Sequence, residues 1–212
     1  MSVFLTKLWW RMTAFAALLL GMKRRALEAY EAIVAVDPRD IIARSTVGNL
    51  RMELGDSAGA AEAFKQLLDE KPDHADSWFN LGFIQEQREK LDEAERCFRR
   101  ALQLDANLDR AWYGLALVLI RNGALTEAAD ALKKNIKLQP FSPYGYYQLA
   151  MTQHHLGDSG DAWRTYEQLK TFEPRYAATL KRDLENTRPR SRPQKSPPEE
   201  NEPGKEALPA ST

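Results

Sequence analysis

Alanines stand at Ala26, Ala60, Ala94, Ala128 and Ala162, each 34 residues after the last. A fixed period of this length constrains a chain more than any local motif, because each period must fold into the same unit and pack on its neighbours. Other columns keep the same step. Gly21, Gly55, Gly123 and Gly157 precede four of the alanines, with Glu89 as the exception. Pro38, Pro72, Pro140 and Pro174 follow, with Ala106 in the missing place. Tyr30, Phe64, Phe98, Leu132 and Tyr166 come four places after each alanine, and Ala14, Gly48, Gly82, Ala116 and Ala150 form a second small column. Five units result without insertion: 7–40, 41–74, 75–108, 109–142 and 143–176.

The residue types explain the columns. Each glycine separates two helix-period segments, such as 109–122 and 125–138, and supplies the left-handed backbone that ends a helix. Each proline lies past the second segment and blocks its continuation. The small columns let backbones approach. The bulky positions, with Trp78, Trp112 and Tyr146 in the first segments, fill the space between neighbouring pairs. A helix–turn–helix unit of this kind covers its apolar face only by stacking on the next. The expected fold is therefore an all-α solenoid of helical hairpins.

The run Trp78-Phe79-Asn80-Leu81-Gly82 with Ala94, Phe98 and Ala101, and Trp112, Leu115-Ala116, Ala128 and Pro140, resembles the tetratricopeptide repeat. The resemblance covers residues 7–176. It implies a right-handed superhelix whose concave groove is lined by first helices and holds a protein or peptide without catalysis. Arg44, Arg51, Gln85 and Asn135 depart from the family pattern at usually aromatic, apolar or small positions. They bring local packing into question, most of all in unit 41–74. Residues 177–187, with Leu180 and Leu184 on one face, read as a helix capping the last unit. Residues 1–187 thus form the solenoid domain. Residues 188–212 contain six of the eleven prolines and few large apolar side chains, so a disordered tail is expected there.

The inward columns implied by the family geometry are Asn49, Phe79, Asn80, Phe83, Arg110, Tyr113, Leu117, Tyr147 and Met151. The aromatic stripe exceeds what packing needs and supplies rigid anchors for a peptide. Some groove domains of this family grip a terminal carboxylate with polar residues over three units. Asn49, Asn80 and Arg110 match that pattern, but Ser45 and Gly114 replace two cations, which removes charge-assisted bonds.

Other chemistry is poorly provided for. Thirty basic residues balance thirty acidic ones, so no net basic field favours nucleic acid. Cys97 is the single cysteine and reads as inert packing. Adjacent His154 and His155 diverge on a helix, and with Asp158 and Asp161 they read as a solvated helix end rather than a metal site. Repeats and tail occupy the whole chain and leave no catalytic domain. Neither an enzyme nor a cofactor is expected.

Residues 1–22 carry Phe4, Leu5, Leu8, Trp9, Trp10, Phe15 and Leu18–Leu20, with only Lys7 and Arg11 charged. A cleaved signal lacks its cleavage site and would remove half a repeat. A membrane anchor and the first helix of the first unit both remain open, and the register of Trp10, Ala14 and Gly21 favours the helix. Its apolar circumference calls for a further surface: a membrane, a second copy or a partner. The clustered Lys7, Arg11, Lys23, Arg24 and Arg25 favour anionic lipid over a dimer, in which they would repel near a twofold axis. The functional reading is a cytoplasmic protein-binding scaffold. The alternative is a membrane-associated assembly factor attached through this segment.

Overall fold

The computed structural model describes residues 3–187. The tail expected over 188–212 lies outside the described residues. Among those described there are eleven α-helices and no strands: α1 Val3–Leu19, α2 Lys23–Val36, α3 Ile41–Glu53, α4 Ser57–Glu70, α5 Ala75–Gln87, α6 Leu91–Leu104, α7 Asp109–Arg121, α8 Leu125–Leu138, α9 Pro143–His155, α10 Ser159–Phe172 and α11 Pro174–Asn186. Each odd-numbered helix from α1 to α9 packs most closely on the even-numbered helix after it, and each hairpin then packs on the next. The last helix starts three residues before the capping helix read from sequence, because Pro174 takes its first position. There the missing N–H costs nothing.

The turn column behaves as its residue type requires. Gly21, Gly55, Gly123 and Gly157 have φ between 68° and 83°. Glu89, in the glycine's place, adopts the same left-handed backbone at φ 60°, so the hairpin geometry overrides the side chain's preference.

All five period alanines are fully buried. The second small column is matched in volume to its partner sixteen residues on. A Cβ on Gly48 would lie 2.7 Å from the Phe64 ring, and one on Gly82 2.9 Å from Phe98. Where the partner is Leu132 or Tyr166, alanine (Ala116, Ala150) shares the cluster instead. Interiors are packed closely enough that one methyl decides which pairing fits.

The bulky column corrects the sequence reading. Tyr146 is buried, but Trp78 and Trp112 are only half-buried. Each of the three ties down the loop before its helix. Trp78 Nε1 donates to the Pro72 carbonyl at 2.9 Å, Trp112 Nε1 to Ala106 at 2.9 Å and the Tyr146 hydroxyl to Pro140 at 3.1 Å, always six residues back. Arg44 occupies the same column and makes the same bond, Nη2 to the Pro38 carbonyl at 2.5 Å, while pairing with Glu70 at 3.2 Å. The substitution therefore keeps the tether.

The other departures are also bonded. Arg51 reaches Glu31 at 2.7 Å and the Gly59 carbonyl at 3.0 Å. Gln85 donates to Glu93 at 2.6 Å, and buried Asn135 to the Asp109 carbonyl at 3.0 Å. Buried polar groups with partners of this kind cost little. Among the described residues, Arg44 Nε, Gln85 Oε1 and His154 Nδ1 are buried without one. His154 is a further correction. It is buried rather than solvated, with Nε2 2.7 Å from the Thr187 carbonyl, and so holds the end of α11.

Candidate peptide-binding groove

The first helices of the hairpins, α3, α5, α7 and α9, bring the inward columns side by side, because residues 34 apart occupy equivalent places in successive hairpins. Two adjoining hollows lie along them and share Phe79, Phe83 and Arg110. The first has a volume of 460 Å³, a size typical of small-ligand or side-chain pockets. Its apolar wall is Phe79, Phe83, Phe98, Tyr113 and Leu117, and Glu86, Asp109, Asn135, Gln139, Ser142 and Tyr144 supply polar groups around it. The second, of 550 Å³, is more polar and is lined by Ser45, Asn49, Met52, Glu53, His74, Asp76 and Asn80 besides the shared three.

Gly114 creates the first hollow's depth. It stands in the column that holds Asn80 and Gln148 in the neighbouring helices. A Cβ there would lie 2.6 Å from Phe98 Cζ, so only a bare backbone lets that otherwise buried ring form the floor. Phe79 leans on Phe98 at 5.9 Å between centroids, and the Arg110 guanidinium lies 4.8 Å over the Phe79 ring. Such a cation–π contact holds the arginine across the junction of the two hollows. Phe83 is 38% exposed, the most open ring of the three. Burial pushes the Tyr113 hydroxyl above the usual tyrosine value, so it stays protonated and able to donate.

Seven of the nine sequence-derived residues line these hollows. Phe79, Phe83, Arg110, Tyr113 and Leu117 meet in the first, and Asn49 and Asn80 join the second. Tyr147 and Met151 line neither. Both pack in the cluster shared by α9, α10 and α11. The Tyr147 hydroxyl donates to Asp183 at 2.6 Å, and its ring meets Tyr176 at 5.5 Å. Burial, with this bond to a carboxylate, pushes Tyr147 up to about 12.

The polar pattern does not make a carboxylate grip. Asn80 donates to Asn49 at 3.1 Å, so the two amides bind each other. Arg110 reaches Asp76 at 3.4 Å. Glu53, Asp76, Glu86 and Asp109 line the hollows; Lys23 pairs with Glu53 at 2.8 Å, Arg110 with Asp76 at 3.4 Å and Arg121 with Glu86 at 2.9 Å, so the lining guanidinium is already engaged.

Sequence reasoning missed Phe98 as a lining residue, together with His74, Asp76, Glu86, Gln139, Ser142 and Tyr144. The signal for Phe98 was Gly114, a glycine inside a helix rather than at a turn, which marks a close approach. Gln139 and Ser142 come from the loop after α8, whose path the repeat columns do not give.

The tetratricopeptide repeat family model matches residues 47–109 and 85–143. Tetratricopeptide repeat protein 8 of Caenorhabditis elegans is 35% identical over 52 residues, 24% of this chain, and the match spans only 10% of that protein's length. Among solved structures, MamA superposes with a TM-score of 0.73 at 21% identity, over 82% of this chain and 94% of that one. MamA from Desulfovibrio magneticus RS-1, residues 41 to the end, gives 0.73 at 18% over 80% and 96%. YrrB, described as a TPR protein with an unusual peptide-binding site, gives 0.68 at 20% over 80% and 88%. The chain carries tetratricopeptide repeats within residues 47–143, and its stacked hairpins share the fold of these solved structures.

Proposed function

We propose that the chain is a non-catalytic scaffold that holds an extended peptide segment of a protein partner along α3, α5, α7 and α9. The carrying observation is the 460 Å³ hollow walled by Phe79, Phe83, Phe98, Tyr113 and Leu117, with polar groups spaced around it and a second, more polar hollow continuing the path. An apolar side chain fits the first, and the neighbouring polar groups serve the peptide backbone. Arg110, drawn to Asp76 and set beside four lining carboxylates, leaves little to attract an acidic segment or a free C-terminus at this place. Asn49, Asn80, Arg110 and Leu117 complete the site we assign. Tyr147 and Met151 fall outside it, in the cluster of α9, α10 and α11.

The experiment is selection of binding peptides from a random library on the intact chain, followed by titration of the enriched sequences. Phe83→Ala with Tyr113→Ala should weaken them at least about tenfold while helix content stays unchanged, since interface anchors of this type carry most of the affinity. Undiminished binding to the folded double variant would overturn the assignment.

The cytoplasm is the compartment we assign on sequence grounds. The rival reading, a membrane-associated assembly factor, needs α1 to carry the chain to a bilayer. Among the described residues no helix is long and apolar enough to cross a membrane. Three of the five cations that favoured a lipid surface are also engaged within the chain. Lys7 lies 2.6 Å from Asp37 and 2.8 Å from Asp40, Arg11 3.0 Å from Asp40, and Lys23 2.8 Å from Glu53.

A further inference from the structure

Helix α1 has two opposed seams. Lys7, Trp10, Ala14 and Ala17 form the inner one, where Ala14 and Ala17 are buried and Lys7 joins Asp37 and Asp40. The outer one is Leu5, Leu8, Met12, Phe15 and Leu19, spaced three and four apart and between 45% and 72% exposed. That spacing is the seam of a two-helix contact, with large apolar side chains on a line that a facing helix can follow. Phe4, Trp9, Ala16 and Leu18 flank it, and the one charge beside it, Arg11, reaches back to Asp40. Together Phe4, Leu5, Leu8, Trp9, Met12, Phe15 and Leu19 expose on the order of 800 Å² of apolar surface, close to one partner's share of a standard interface.

We propose that the outer seam of α1 pairs with the same seam of a second copy of the chain, giving a twofold dimer with the groove-bearing helices left free. The charge arrangement selects this occupant. The seam presents apolar side chains alone, so it is complementary to itself. Repulsion between equivalent cations is relieved because Lys7 and Arg11 are neutralised by Asp37 and Asp40 of their own chain. An anionic lipid surface would instead need cations turned outward along the length of the apolar face; Arg11, beside the seam, turns back to Asp40, and the exposed Arg24 and Arg25 lie beyond its end in the first turn of α2. The pairing is isologous and closes at two copies.

The test is sedimentation velocity of the full chain over a dilution series, alone and with phosphatidylcholine–phosphatidylglycerol vesicles. The expected species is a dimer of the 24.1 kDa chain that does not follow the vesicles. Met12→Glu with Phe15→Glu should weaken dimerisation at least about tenfold at unchanged helix content. A separate Met12→Cys variant should form an interchain disulfide on mild oxidation, since the native Cys97 is buried. A monomer at every concentration overturns the proposal, as does a monomer that sediments with vesicles. So does a dimer that survives the glutamates while failing to cross-link through position 12.

Discussion

The loop tethers allow a prediction in which two substitutions at one residue separate two effects. Trp112→Phe keeps an aromatic ring among Leu115, Leu119 and Ala116 but removes the Nε1–H that reaches the Ala106 carbonyl at 2.9 Å. That carbonyl lies near solvent and can turn to water, so the loss falls at the modest end for a neutral hydrogen bond, about 0.5–1 kcal/mol. Trp112→Ala removes the bond and the ring together. Full burial of a tryptophan would make that cost about 3–5 kcal/mol. Trp112 is half-buried, which brings the expected loss to about 2–3 kcal/mol, below the value its repeat column alone suggests. Urea unfolding followed by far-ultraviolet circular dichroism measures both without relying on the altered indole. Amide exchange of residues 105–108 reports the loop separately, since a stacked array can open by segments. If Trp112→Phe costs as much as Trp112→Ala, the bond and not the ring holds the junction. If Trp112→Ala costs nothing, the tether reasoning fails.

Glu89 sits at φ 60° where every other turn of its type has glycine, and its carboxylate contact with Arg121, 3.3 Å long, is largely exposed. Glu89→Gly should therefore stabilise by about 0.5–1 kcal/mol, the left-handed strain relieved less the entropy glycine adds to the unfolded chain, seen as a higher Tm. Asp40 accepts from Lys7, from the Ala43 N–H and from Arg11; burial raises its pKa, but these bonds outweigh it and hold it below the ordinary value, as the Lys7 bond holds Asp37. Their contribution to docking α1 is thus present above about pH 4 and lost as pH falls through the lowered values. Lys7, raised first by its bond to Asp37 and then by that to Asp40, contributes below about pH 10.4 and loses this as pH rises through its raised value. Asp40→Asn retains the α3 cap and should weaken the acid-side dependence of α1 amide exchange to the part that Asp37 supplies through Lys7; an unchanged pH profile would refute this account.

The fold was legible because its causes repeat. Five alanines at zero exposure, four glycines at positive φ and a loop after every second helix follow from residue types read at a fixed step. The tethers were less legible, since Arg44 and Trp78 share no chemistry except an N–H at the end of a long side chain. Only the carbonyl six residues back shows that this is what the column supplies. His154 gave no signal of burial. A polar residue at a helix end reads as solvated until α11 is seen to lay its Thr187 carbonyl against the ring.

The groove was legible in direction and not in occupancy. Columns 34 apart fix which way a side chain points, but what it touches depends on which residue types the next helix carries. Asn49 and Asn80 point into the groove and bind each other. Arg110 points the same way and is drawn to Asp76, its equivalent one unit back. Tyr147 belongs to the same face, yet α11 presents Tyr176 and Asp183 to it and closes over the ring. At Gly114 the opposite happens: no side chain projects, Phe98 shows through, and the apolar hollow opens there rather than elsewhere along the stripe. Specificity in such a scaffold is therefore written less in the shared columns than in the units that break them. Gly114, with Glu86 and Asp109 lining the same hollow, sets the shape and sign of what can enter.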